Sequence, residues 1–218
     1  MESPLVNEKT KGIRIKFVLI GDIKVGKTSI FNNYVNHKII KEYNPTIGID
    51  ENKIMIEKNQ KTFVLKIEDT SGNEKFLNEI KSHYDTTNII LIVFDLTNKE
   101  SFLSVNKWIN HVLSAQNKNN NIKIVLIGNK RDLEVNRQVS KEEVNKLAEA
   151  NSMKYYEISA FNEEEVKLIF EDGFKLFSKI FTKNEQNIPE SLTEVETYAL
   201  TDYGNKSSKK KKFHCCNC

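Results

Sequence analysis

The chain has 218 residues, of which 39% are hydrophobic and 29% are charged, and its formal net charge is +3. This length and composition fit one globular domain with a tail, and two full domains would be cramped. The positive charge is concentrated at the C-terminal end: residues 206–218 contain five lysines and no acid, which leaves residues 1–205 with 28 basic and 30 acidic side chains, a net −2. This distribution argues against a nucleic-acid-binding body.

In chain order, the sequence predicts an arm over residues 1–11, a globular domain over residues 12–182 and a flexible tail over residues 183–218. In the tail the apolar pattern of the domain stops, so no packed core is expected there.

Within the domain, apolar runs without alternation predict strands that are buried on both faces. They cover residues 15–20, 89–94 and 122–127. A hairpin is predicted around Lys58–Lys61. Helices are predicted by apolar spacings of three and four over residues 102–112 and 166–177, and by a capping box at Ser140 and Glu143. The alternation of strands and helices predicts an α/β fold with a mostly parallel sheet, whose ligands bind beyond the C-terminal ends of the strands.

Membrane-spanning and disulfide-linked architectures are not expected. The longest purely apolar run, Ile89–Phe94, has six residues and is too short to cross a bilayer. The N-terminus is charged and lacks the apolar stretch of a secretory signal. All three cysteines lie in the last four residues, so the body is expected to work in a reducing compartment.

The segment Gly21–Thr28 reads G-x-x-x-x-G-K-T and directly follows the first predicted strand. A glycine-rich loop between a strand and a helix places backbone N–H groups around a phosphate, and the helix N-terminus adds partial positive charge. Lys27 adds a full charge, and the Thr28 hydroxyl is a ligand for Mg²⁺. The motif predicts a nucleotide phosphate site but does not distinguish ATP from GTP.

The segment Asn129–Asp132 reads N-K-R-D, follows a buried predicted strand and indicates guanine. The Asp132 carboxylate can accept two parallel hydrogen bonds from guanine N1–H and the exocyclic amine, a pair that adenine does not offer. The aliphatic stem of Lys130 can lie along the base face. Ser159 and Ala160 follow the last predicted strand, where a backbone N–H can reach guanine O6. An ATPase or kinase is therefore disfavoured.

The segment Asp69–Gly72 reads D-T-S-G and ends the second strand of the predicted hairpin. The Asp69 carboxylate can approach Mg²⁺ through water, and the Gly72 N–H can meet a γ-phosphate. Thr46 lies between the first helix and the hairpin, where its hydroxyl could complete Mg²⁺ coordination only when the γ-phosphate is present. Together the motifs predict a guanine nucleotide site with Mg²⁺ as cofactor.

These motifs resemble the Ras superfamily of small GTPases, and the Rab family most closely. The resemblance covers roughly residues 12–181 and the cysteine terminus, and it includes the segments 43–50, 93–97 and 100–102. It implies a three-layer P-loop GTPase fold with five helices and a six-stranded sheet that contains one antiparallel strand. It also implies a GTPase that switches between GDP and GTP states and recruits partners to membranes in vesicle trafficking.

The resemblance assigns site residues and partners. The predicted nucleotide contacts are Gly21, Lys24, Val25, Gly26, Lys27, Thr28, Ser29, Tyr43, Thr46, Gly72, Asn129, Lys130, Asp132, Ser159 and Ala160. The predicted Mg²⁺ ligands are Thr28, Thr46 and Asp69, and the predicted catalytic residues are Lys27, Gly72 and Asn73. The implied partners are an exchange factor, an activating protein, effectors, a prenylation escort and a protein of the GDP-dissociation-inhibitor type.

Four positions depart from the family pattern. Relatives carry glutamine after D-x-x-G, where it orients the attacking water, and here Asn73 is shorter by one C–C bond, about 1.5 Å. Ile23 replaces a small residue and crowds the approach to the γ-phosphate. Ile39 replaces an aromatic edge against guanine, and Phe161 replaces the usual lysine after Ser-Ala. We therefore hypothesise slow hydrolysis, fast exchange and a GTP-bound resting state; the alternative is a non-hydrolysing scaffold locked with its nucleotide.

The partner surface also departs from the family. The expected effector surface includes Ile47 and Gly48, and Rab proteins share three aromatics nearby, whose matching positions here are Glu51, Glu68 and His83. Two carboxylates and an imidazole cannot form the apolar patch that the usual effectors bury, so such effectors should bind poorly and a basic partner fits better. The alternative is that these three are merely solvated side chains.

The C-terminal sequence Cys216-Asn217-Cys218 resembles the double geranylgeranylation signal of Rab proteins, and Cys216 and Cys218 are the predicted lipidation sites. Two chains matter because one lipid gives only marginal membrane residence. The lysines of residues 206–212 add attraction to anionic lipid. A C-a-a-X box beginning at Cys215 remains possible, although Asn217 is polar. The predicted location is the cytoplasmic face of intracellular membranes, with cycling through the cytosol.

Overall fold

The computed structural model describes residues 12–39, 44–58, 61–115 and 122–184. The predicted arm over residues 1–11, the tail beyond residue 184, Tyr43 and the lipidation sites Cys216 and Cys218 lie outside the described residues. Within the described ranges, no helix combines the length and apolar character needed to cross a bilayer.

The described chain alternates strands with helices. The strands are β1 (Ile13–Ile20), β2 (Ile49–Lys58), β3 (Lys61–Thr70), β4 (Ile89–Asp95), β5 (Lys123–Asn129) and β6 (Lys154–Glu157). The helices are α1 (Lys27–Asn36), α2 (Leu77–Ser82), α3 (Lys99–Leu103), α4 (Val105–Ala115), α5 (Lys141–Ala150) and α6 (Glu163–Asn184). Short 3₁₀ turns cover Glu74–Phe76, Tyr84–Thr86 and Arg131–Asn136.

The six strands form one sheet in the order β2-β3-β1-β4-β5-β6. β2 and β3 are antiparallel, with Lys58 opposite Lys61, as the predicted hairpin requires. All other neighbouring strands are parallel. The prediction of a six-stranded, mostly parallel sheet with one antiparallel strand is confirmed.

The sheet is buried on both faces. Along β1 the side chains alternate, so that Phe17 and Leu19 join one core and Val18 and Ile20 join the other. The first core is covered by α1 and α6, and the second by α2 to α5. This burial on both sides explains why the central strands read as predominantly apolar runs.

Ser104 is the single residue between α3 and α4. Ser104 has helical dihedrals (φ −67°, ψ −16°), its N–H donates to Glu100, and its carbonyl accepts from Trp108 at 3.2 Å. The backbone hydrogen bonds therefore run through this residue. With α3 and α4 counted as one helix, the described chain has the five helices that the resemblance implied.

Two local features of the structure also agree with the predictions from sequence. Ser140 accepts from the N–H of Glu143 while the Glu143 carboxylate accepts from the N–H of Ser140, which is the predicted capping box of α5. Phe170 and Phe174 of α6 are buried in the first core, as their apolar spacing predicted. The parallel strands thus place all their C-terminal ends at one edge, where the site lies.

Candidate functional site

A cavity of about 810 Å³ lies at this edge of the sheet. It is lined by most of the predicted site residues, namely Lys24, Gly26, Lys27, Thr28, Ser29, Thr46, Ile47, Gly72, Asn73, Asn129, Lys130, Asp132 and Ala160. It is also lined by Ile23, Asn44, Pro45, Thr70, Ser71, Phe76, Leu133 and Phe161, which were not predicted as nucleotide contacts. The volume is within the range of small-molecule sites.

The loop before α1 has the conformation that its glycines permit. Gly26 has a φ of 98°, and a Cβ atom there would lie 2.1 Å from Asn129 Nδ2. Gly72 approaches the same loop from β3, where a Cβ atom would lie 2.4 Å from the Asp22 carbonyl carbon. Only glycine fits at these two places, so Gly26 packs directly against the Asn129 side chain and Gly72 against the Asp22–Ile23 backbone.

Lys27 is 5% exposed and bends back over the loop, donating from Nζ to the carbonyls of Gly21 at 2.9 Å and Asp22 at 2.7 Å. Burial lowers the pKa of Lys27 to about 8, an effect that the charges of Asp69 and Asp22 oppose. A phosphate in the cavity would reverse the effect of burial, because it supplies negative charge to a poorly solvated ammonium group.

Three oxygen-bearing side chains converge beside Lys27. Thr28 Oγ1 donates to Asp69 Oδ2 at 2.7 Å and lies 2.9 Å from Thr46 Oγ1, which is itself 3.3 Å from Asp69 Oδ2. Asp69 is fully buried, and its Oδ1 atom makes no hydrogen bond with any described residue. Burial raises the pKa of Asp69 to about 6, although hydrogen bonds from Thr28 and the charge of Lys27 oppose this. An orphaned carboxylate oxygen among hydroxyls fits the oxygen preference of Mg²⁺.

The side chain of Asn129 joins the phosphate loop to the base-reading loops. It is 1% exposed, its Nδ2 donates to the Val25 carbonyl at 2.8 Å, and its Oδ1 accepts from the Ala160 N–H at 2.9 Å. The N–H of Arg131 donates to the Ile158 carbonyl at 3.0 Å and fixes the same two loops. Asp132, which follows, therefore has a defined position in the cavity.

Two contacts that position the loops were missed by sequence reasoning. Lys130 has a φ of 66°, and its Nζ pairs with Asp95 Oδ2 at 2.6 Å. Trp108 Nε1 donates to Asp22 Oδ1 at 2.7 Å. Asp95 could have been suspected, because it ends a buried strand next to the strand that precedes Lys130. The Trp108 contact joins residues 86 positions apart and has no local signal.

Some predicted residues lie just outside the cavity lining. Val25 is buried and offers its carbonyl to Asn129, and the Gly21 carbonyl accepts from Lys27. The Ser159 N–H donates to Glu165 Oε2 at 2.7 Å. Ile39, predicted to face guanine in place of an aromatic residue, is 54% exposed and does not line the cavity.

The segments bearing Thr46 and Gly72 are joined by the Ser71 N–H, which donates to the Gly48 carbonyl at 2.9 Å. Asn73 is exposed and begins the turn before α2. Its Oδ1 accepts from the Lys75 N–H at 3.1 Å, and its own N–H donates to Ser71 Oγ at 3.3 Å. The side-chain oxygen of Asn73 is thus engaged by the backbone of the turn that follows it.

A second polar group, the Glu68 cluster (Lys16, Glu51, Lys66, Glu68 and His83), lies on the side of the sheet that carries α2. Glu68 is fully buried. Its Oε2 atom lies 3.1 Å from Lys16 Nζ and 2.9 Å from His83 Nδ1, and its Oε1 atom lies 2.7 Å from Lys66 Nζ. Lys66 also pairs with Glu51 at 2.6 Å, and Lys16 donates to the His83 carbonyl at 2.7 Å. The three positions that replace the family's aromatics therefore belong to one ion-pair network.

This geometry corrects the expectation for Glu68, because a fully buried carboxylate neither faces a partner nor is merely solvated. Burial raises the pKa of Glu68, but the hydrogen bonds and charges of Lys66 and Lys16 outweigh it, so the net pKa is lowered. Both carboxylates of the cluster are already paired with lysines, which removes the reason to expect a basic partner. Glu51 and His83 remain partly exposed.

Comparison with known proteins places these features in context. The sequence profile of the Ras family matches residues 16–179. The chain is 31% identical to "Ras-related protein Rab-11C" of Dictyostelium discoideum over 88% of this chain and 83% of that protein. It is 35% identical to "Ras-related protein Rab-2B" of the same organism over 79% and 83% of the two chains. It is 37% identical to "Ras-related protein SEC4" of Candida albicans over 80% and 81%.

The Glu68 cluster leads to a stability prediction. Glu68→Leu leaves the Lys16 ammonium buried without its main partner, and breaking such a pair costs about 3–5 kcal/mol. Glu68→Leu combined with Lys16→Met removes both charges and should restore most of this loss. The free energy of unfolding is measured by urea denaturation at one saturating nucleotide concentration.

Glu51→Leu is the matched control, because this half-exposed carboxylate pairs with Lys66 at the surface. Its cost should stay below about 1 kcal/mol. Equal effects of Glu51→Leu and Glu68→Leu would contradict the assignment of Glu68 as the buried centre of the cluster.

Proposed function

Because this chain belongs to the Ras family and is a Rab-like small GTPase, we propose that its cavity holds GTP or GDP with Mg²⁺ and acts as a switch on intracellular membranes. The observation that carries the proposal is the convergence of Thr28, Thr46 and the orphaned Asp69 oxygen beside Lys27. The same cavity contains Asp132. One cavity can thus hold the phosphates and the base of a nucleotide together with the cation.

Mg²⁺, when bound, would neutralise charge on the β- and γ-phosphates. Thr28 and Thr46 would hold it through their hydroxyls and Asp69 through water, while Lys27 contacts the phosphates. The Gly72 N–H and Thr46 come from two different segments that meet at the Ser71–Gly48 hydrogen bond. A γ-phosphate would contact both segments in addition to this hydrogen bond, and its loss would weaken their association, which is the physical basis of a switch.

We propose that hydrolysis is slow. The Asn73 amide is one methylene shorter than the family's glutamine and is engaged with the Lys75 N–H, while Ile23, 56% exposed, lines the cavity. The alternative is a scaffold that keeps GTP as a structural ligand. Bound nucleotide analysed over hours separates the two, because a slow GTPase accumulates GDP in proportion to time and a locked scaffold does not.

Asn73→Gln should raise the single-turnover hydrolysis rate about 10- to 100-fold, because a misplacement near 1 Å costs about 100-fold. The rate is measured by quenching protein preloaded with labelled GTP and counting released phosphate. Asn151→Gln, the same one-methylene extension at the exposed end of α5, is the matched control and should leave the rate unchanged. An unaltered rate in Asn73→Gln would mean that residue 73 does not limit hydrolysis.

Base discrimination gives a direct test of the ligand. Asp132→Asn replaces an acceptor with a group that also donates, so it should weaken GTP and favour xanthosine triphosphate, whose C2 carbonyl accepts where guanine donates. Competition against fluorescent GDP should show GTP far ahead of ATP for the natural chain and a reversed GTP-to-XTP order for the variant. Equal binding of GTP and ATP by the natural chain would overturn the proposed function.

The partner surface follows from the Glu68 cluster. We propose that effectors contact Ile47, Gly48, Glu51 and His83, with Glu68 acting only by holding Lys66 and His83 in place. Ile47 is 84% exposed, which leaves one apolar contact among polar ones. From family membership we propose four further partners: an exchange factor, an activating protein, a prenylation escort and a protein of the GDP-dissociation-inhibitor type.

Membrane attachment is proposed to depend on two lipidated cysteines and the lysines of residues 206–212. Changing Cys216 and Cys218 to serine together should move the chain from the membrane to the cytosolic fraction, and either change alone should leave marginal residence. Fractionation and mass spectrometry of the C-terminal peptide measure this. Cys215→Ser is the control: it should have little effect on a double anchor and should abolish anchoring through a C-a-a-X box.

A further inference from the structure

Phe161 occupies a position in the cavity that the proposed contacts leave unused. It directly follows Ala160, lines the cavity together with Lys130 and Asp132, and is 48% exposed. A half-exposed aromatic ring on the wall of a small-molecule cavity is apolar surface that a flat ligand can cover.

Hydrogen bonds fix the backbone of the loop that carries Phe161. The Ala160 N–H donates to Asn129 Oδ1 at 2.9 Å, and the Ala160 carbonyl accepts from Asn33 Nδ2 at 2.8 Å. The Phe161 N–H itself donates to Ser159 Oγ at 3.3 Å. The ring therefore extends from a rigid loop that is bonded to the residue preceding Lys130, and little order remains to be imposed when a ligand binds.

Residue 39 is an isoleucine that is 54% exposed. The Ile39 side chain does not line the cavity. A purine presents two apolar faces in addition to the edge that Asp132 reads, and an aromatic ring covers such a face without regard to the edge. Phe161 is suited to this task by its chemistry and by its place in the cavity.

We propose that Phe161 stacks on the purine ring of the bound nucleotide and contributes to nucleotide retention. This inference rests on the proposed guanine nucleotide site and adds a binding residue to it. Stacking concerns the face of the base, whereas Asp132 reads its edge. The two contributions can therefore be separated by experiment.

The experiment measures release of fluorescent GDP from the full chain in Mg²⁺ after Phe161→Ala, Phe161→Leu and Phe161→Tyr. Alanine substitution of a base-stacking aromatic weakens binding about 5- to 150-fold, so release from Phe161→Ala should accelerate within that range. Phe161→Tyr keeps the ring and should release at close to the natural rate. Phe161→Leu keeps apolar bulk without the ring and should be intermediate.

Leu168→Ala is the matched control, since Leu168 is 45% exposed on α6 and does not line the cavity. Inosine diphosphate, which lacks the exocyclic amine, provides a second control. Phe161→Ala should accelerate GDP and IDP release by the same factor, because stacking does not read the edge. Asp132→Asn should change the ratio of the two.

A spectroscopic readout distinguishes stacking from a merely structural role. The ring current of Phe161 should shift the H8 proton of bound GDP, and the shift should disappear in Phe161→Leu and persist in Phe161→Tyr. Any one of three results would overturn the inference. They are GDP release from Phe161→Ala at the rate of the natural chain, equal release rates for the alanine and leucine variants, and an unshifted H8 proton in the natural chain. Failure of the natural chain to bind guanine nucleotides would instead overturn the proposed function.

Discussion

The buried amide of Asn129 is the constraint on which the site depends. A single side chain satisfies the Val25 carbonyl of the phosphate loop and the Ala160 N–H of the β6 loop, and Gly26 has no room for a Cβ atom against it. Loss of this amide would leave two buried backbone groups without partners, at about 1–3 kcal/mol each. The phosphate and base sites are therefore not two independent pockets on a sheet edge, because one hydrogen-bonded residue sets their separation.

Much of the fold could be predicted because its sheet is buried on both faces. Predominantly apolar runs marked β1, β4 and β5, and the same strands then placed the motifs at one edge. The capping box of α5 and the apolar stripe of α6 depend only on local spacing, so they were also visible. The break at Ser104 was not, since the helical hydrogen bonds continue across it and the sequence contains no glycine or proline there.

The site could be predicted where the chemistry resides in a motif and not where it depends on strand register. Thr28, Asp69 and Asp132 were assigned from short segments with defined contexts. The burial of Glu68 was missed, although its signal exists: Lys16 interrupts the apolar run of β1, and Glu68 interrupts that of β3. Opposite charges in two buried strands predict an ion pair, but only the parallel pairing of β1 with β3 brings these two together.

The departures at Asn73 and in the Glu68 cluster lie outside the residues that are proposed to hold the nucleotide phosphates. In the proposed function, nucleotide binding depends on backbone N–H groups, Lys27, Thr28 and Asp69, which lie at the sheet edge. The same proposal assigns hydrolysis to the reach of the exposed Asn73 amide and partner choice to a few side chains around Glu51 and His83. Because these proposed contributions come from different atoms, a substitution at Asn73 or in the Glu68 cluster is expected to leave the phosphate-loop contacts of Lys27 and Thr28 in place. Holding the nucleotide and consuming it would then be separable properties of this chain.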